Sequence, residues 1–112
     1  MEDFPKIISV DDHVVEPPNV WQDRLPAKYR DVGPRIVRAP MKATSLAGGV
    51  WRNEMGSDAA DGPPVDWFVY EDLRWPHTRI NASVGMARED ITMAGMTYEE
   101  MRPGCYEPRA RL

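Results

Sequence analysis

The segment Lys6 to Val10 is nearly continuous in apolar, β-branched residues, and such a run predicts a short strand buried on both faces, the kind from which parallel sheets are built. It leads directly into Asp11, Asp12 and His13 and is halted by Pro17-Pro18. Strand side chains alternate between faces, so Asp11 and His13 project to one side and Asp12 to the other. A carboxylate and an imidazole, both costly to bury alone, thus converge at a strand end, which is half of a plausible metal site.

Downstream the pattern is more broken. Asn19 is placed to cap a short helix through Trp21, with Gln22 completing a capping box, and Pro26 ends it. A second short helix is predicted over Ala27 to Asp31, stopped by Gly33-Pro34. Arg35 to Arg38 alternates polar and apolar, and Asp66 to Tyr70 is rich in aromatic and β-branched residues, so the two predict a hairpin. Between them, Met41 to Val65 carries Gly48-Gly49, Gly56 and Asp61-Gly62-Pro63-Pro64 with weak periodicity, which predicts an excursion or flap loop. Glu71 to Met93 has no clean period and predicts no element. Thr97-Tyr98-Glu99-Glu100 is a second capping-box pattern, stopped by Pro103-Gly104. Glu107-Pro108-Arg109-Ala110-Arg111-Leu112 reads as a helix start with Pro at the first position.

Composition narrows the classes. At 112 residues the chain is one domain at most. Leu, Ile, Val and Phe fill 21 positions, while 8 Gly and 11 Pro point to short elements, many loops and a thin core that a partner surface would help to fold. The charges are mixed, 14 basic against 18 acidic with no like-charged run of five, so nucleic acid and membrane surfaces are not expected partners. No apolar run approaches the length of a membrane span, and Met1-Glu2-Asp3 has the wrong sign for a signal peptide, so the default expectation is a cytoplasmic protein. The single Cys105, in the turn Pro103-Gly104-Cys105-Tyr106, excludes an internal disulfide framework and reads as a spectator thiol.

The run Ile8-Ser9-Val10-Asp11-Asp12-His13-Val14-Val15-Glu16-Pro17-Pro18, with Trp21, Arg24 to Asp31, Gly33-Pro34-Arg35, Val69 to Pro76 and Met101 to Tyr106, resembles the amino-terminal portion of an amidohydrolase-superfamily enzyme, in the branch related to aminocarboxymuconate semialdehyde decarboxylase. The resemblance covers nearly the whole chain except about residues 41–65. It implies an α/β fold, the amino-terminal part of a metal-dependent (β/α)8 barrel whose first strand carries a His-x-His pair. That pair maps onto Asp11 and His13, a departure in which a carboxylate takes the first ligand position; zinc is the metal the family implies, and the Asp oxygen also suits manganese or magnesium.

Under that resemblance, residues 1–18 hold the first barrel strand and metal motif, 19–34 short helices, 35–76 a hairpin with a flap loop, and 77–112 a loop-rich segment leading into a helix. A complete barrel needs about 250 residues, so the chain is incomplete alone. The expected function is that of a small subunit or amino-terminal portion of an enzyme that hydrolyses a C–N or ester-like bond or decarboxylates an unsaturated or aromatic acid. Its expected partners are a small-molecule substrate and a larger chain completing the barrel. Arg35, Arg38, Arg74 and Arg79 are available to hold a substrate carboxylate, their plainer reading being solvated strand-edge charge, and His77, a loop histidine beside Pro76, is a further candidate whose plainer reading is structural or solvated. Trp67, Tyr70 and Trp75 are candidates to line a pocket or to pack the sheet. The alternative class is a non-catalytic docking or regulatory piece, or a truncated remnant, that keeps the amino-terminal motif only as a surface.

Overall fold

The computed structural model describes residues 5, 6, 8, 13–56 and 62–111. The expected first strand and Asp11 fall mostly or wholly outside these residues.

The centre of the fold is a four-stranded, wholly antiparallel sheet in the order β2-β1-β3-β4, formed by β1 (Arg35–Ala47), β2 (Val50–Met55), β3 (Pro64–Tyr70) and β4 (Leu73–Pro76). The sheet curls on itself so that β2 approaches β4. Among the described residues the two α-helices, α1 (Ala27–Arg30) and α2 (Pro108–Arg111), are a single turn each. This overturns the expectation of an α/β barrel fragment. Parallel barrel strands require long helical crossovers, whereas every strand pair here is antiparallel. The apolar run at residues 6–10 suggests a parallel sheet, but the sheet formed by the described residues is antiparallel throughout.

Proline placement explains how one long strand serves two partners. The β1–β3 ladder runs from Arg35 opposite Val69, through Arg38 opposite Asp66, to Pro40 opposite Pro64. Neither proline has an N–H to donate, so that ladder ends there. From Met41 onward β1 pairs with β2 instead, across a register shift between Met41 and Ala43. The segment expected as a flap loop is therefore largely a β-ribbon. Its tip is the two-residue turn Gly48-Gly49, with φ of +58° and +78°, the positive pair that a tight hairpin turn needs and that glycine adopts freely.

β4 occupies part of the stretch in which no element was expected, joined to β3 by Glu71-Asp72. Residues 18–25 form successive turns rather than a helix, and Gln22 donates to the Arg30 and Pro34 carbonyls instead of closing a capping box. The box at Thr97 does form, over a 3-10 turn at Tyr98–Glu100, with the Glu100 carboxylate accepting from both the N–H and the hydroxyl of Thr97.

Two apolar cores result among the described residues. One lies on the sheet, where Ala39, Val65 and Trp67 pack with Met41, Met55 and Val69, and the Trp67 indole donates to the Ala39 carbonyl at 2.9 Å. The other gathers Val15, Ala82, Met96, Tyr98, Met101 and Cys105 from irregular segments far apart in the chain, with Ile36 of the sheet against it. Among the described residues no helix is long and apolar enough to cross a membrane.

Candidate functional site

The segment that carries His13 is tied to the second core by main-chain and side-chain bonds. The Val15 N–H donates to the Cys105 carbonyl at 2.8 Å while the Val15 side chain is buried, and the Tyr98 hydroxyl donates to the Glu16 carbonyl at 2.7 Å. Two residues after His13 the chain is thus fixed in place. The segment forms one wall of a cleft of about 440 Å³ whose lining is His13, Val14, Val15, Glu16, Phe68, Trp75, His77 and Asn81. Both histidines of the protein therefore meet at one cavity, although 64 positions separate them.

His77 follows the end of β4 and is held at both main-chain groups. Its N–H donates to the Asp66 carbonyl and its carbonyl accepts from Met96, whose own carbonyl accepts from the Asp66 N–H. The ring packs edge-on against Tyr98, with Nε2 3.0 Å from the hydroxyl. Burial lowers the His77 pKa below its ordinary value, outweighing the opposing pull of the Asp66 and Glu16 carboxylates. Burial likewise raises the Tyr98 pKa, so the phenol stays protonated.

Behind Tyr98 lies a buried carboxylate. Asp66 accepts two bonds from Arg38, at 2.9 and 3.0 Å, and one from the Tyr98 N–H at 2.8 Å. Arg38 also reaches Glu99, and the carboxylates raise its pKa further. The Glu99 carboxyl is held below the usual range first by its own backbone N–H and then by Arg38. This fork-on-fork arrangement anchors the Tyr98 turn to β1 and β3.

The other candidates are distributed differently. Trp75 is half-exposed and lines the cleft, whereas Trp67 is fully buried in the sheet core. Arg74 does not reach the cleft; it donates to the Glu71 and Leu73 carbonyls and borders a separate hollow with Arg35 and Tyr70. Arg35 bonds to the Asp31 carbonyl and Arg79 to Glu100. All four arginines make contacts within the chain, Arg38 with the buried Asp66 carboxylate. Asp66, Tyr98, Glu16, Phe68 and Asn81 were not anticipated as site residues. The one signal for Asp66 was its place at the start of the strand expected to pair with Arg35–Arg38.

His13, His77 and Glu16 are suitable donor types for a divalent ion. Among the described residues, however, no three His, Cys, Asp or Glu side chains are grouped so as to hold one. The described part of the chain therefore does not form a closed metal centre by itself. No protein-family model matches the chain, and no curated protein matches it.

Proposed function

We propose that the chain supplies an incomplete divalent-metal site, His13 with Asp11 two positions before it, to a hydrolase or decarboxylase of the amidohydrolase type, with the remaining ligands carried by a larger partner chain. The observation that supports this reading most is the anchoring of the His13 segment. Val15 and Glu16 are bonded into the core, and that fixes the backbone beside an imidazole bordering a cleft large enough for a small substrate. A ligand is more useful when its backbone is already positioned, since less ordering is then needed on binding. A divalent ion at such a site would polarise a substrate carbonyl or carboxylate or activate water. The chain's own residues hold the His13 segment in place and provide the Trp75 and Phe68 walls.

Calorimetric titration of zinc and of manganese into the protein tests the proposal. The expected result is a single site that loses roughly tenfold or more in affinity in His13→Ala and in Asp11→Ala. Affinity unchanged in both variants would refute the ligand assignment. A docking role is the second reading, favoured by the exposed apolar side chains of Trp21, Leu46, Val50, Leu73 and Trp75. It predicts association with a larger chain that is indifferent to metal and to both substitutions.

A further inference from the structure

The lining of the cleft is chemically one-sided. Tyr98 has a single hydroxyl proton, and the Glu16 carbonyl, which can only accept, takes it at 2.7 Å. The 3.0 Å contact between the Tyr98 hydroxyl and His77 Nε2 must then run in the other direction, with Nε2–H donating. A neutral imidazole that is protonated at Nε2 has a bare lone pair at Nδ1. Nδ1 has no partner among the described residues, yet it is not one of the buried atoms shut off without a hydrogen bond, so it opens to the cleft that His77 lines.

The rest of the lining has the same bias. Glu16 brings a carboxylate close enough to act on both His77 and Tyr98. Trp75 and Phe68 offer aromatic faces, whose quadrupoles attract positive charge. Among the described residues no Lys or Arg lines the cavity.

We propose that this cleft binds a small aromatic cation bearing N–H donors, an amidinium or a protonated amine, which stacks on Trp75, donates to His77 Nδ1 and is balanced by Glu16. With no metal ion bound, a carboxylate ligand would meet a lone pair and a like charge. The inference goes beyond the metal reading and does not require an ion at His13, so its test is run in chelator, where failure of either proposal leaves the other intact.

The probes are benzamidinium and benzoate, titrated into the whole protein at about pH 8, where unperturbed histidine is neutral, and followed by nitrogen-15 NMR of the Trp75 indole and the His77 ring. Benzamidinium is expected to shift both signals, and benzoate neither. His77→Gln retains a donor for Tyr98 but replaces the ring-held Nδ1 with an amide oxygen that no ring holds in that position, and should bind benzamidinium several-fold more weakly. Glu16→Gln, at an exposed position that keeps its main-chain carbonyl, should also weaken binding and reduce its salt dependence. It provides the decisive comparison if His77→Gln does not fold. Failure of benzamidinium to bind, benzoate binding as well as benzamidinium, or unchanged benzamidinium affinity in a folded variant would overturn the proposal.

Discussion

Tyr98 gives its proton to the Glu16 carbonyl and receives one from His77, so a single hydroxyl joins the amino-terminal segment to the residue after β4. The link has a consequence for pH. The His77 pKa lies below its ordinary value of 6.5 because burial disfavours the imidazolium. The unfolded chain therefore binds the proton more readily than the folded one. The stability associated with neutral His77 is complete above pH 6.5 and is lost as pH falls through the lower folded value. Urea denaturation over this range should show His77→Gln losing less stability on acidification than the parent protein. Parallel pH profiles for the two would contradict the assignment. The chemistry of this residue was only partly visible beforehand. A histidine beside a proline suggests a structural role, but its partner Tyr98 lies 21 positions away and the carbonyl that Tyr98 bonds lies 82 positions from Tyr98, and local pattern carries no information about contacts of that span.

Among the elements, the β1–β3 pairing was legible because alternation and β-branched content are local properties, and Arg38 opposite Asp66 follows from that register. The β1–β2 ribbon was not legible. In sequence Gly48-Gly49 marks a loop, whereas the same two residues are what a tight hairpin turn requires. The class of sheet is not legible for a related reason: a continuous apolar run is compatible with several buried settings, and its length does not distinguish them. Close approach between elements is equally invisible in sequence and equally testable. A Cβ added at Gly95 would lie 2.4 Å from Val65 Cγ2 and 2.8 Å from Cγ1. Val65 is buried in the sheet core and stiff at its branched Cβ, so it has little room to yield. Gly95→Ala should therefore cost about 1–3 kcal/mol, read as a lowered denaturation midpoint. An unchanged midpoint would show that the segment packs less tightly on β3 than described. The effect should extend to the cleft, because Gly95 bridges Thr78 and Met96 bonds to His77.

At the scale of the whole molecule, the sheet holds one wall of the cleft through Phe68 and Trp75, and the irregular core holds the other through Val15 and Glu16. The two walls are joined by the Asp66, Tyr98 and His77 bonds, so the cavity depends on contacts between segments rather than on any one element. Of residues 11–13, His13 borders the cleft, and Asp11 lies outside the described residues. The central claim is that His13 offers a divalent ion a place at this cleft. Manganese is paramagnetic and broadens nearby NMR signals, which makes it the most direct probe. Substoichiometric manganese added to the nitrogen-15-labelled protein should broaden His13 first, then the Trp75 indole and His77, with the broadening at the cleft abolished in His13→Ala. Broadening confined to acidic residues away from the cleft, or unchanged at the cleft in His13→Ala, would contradict it.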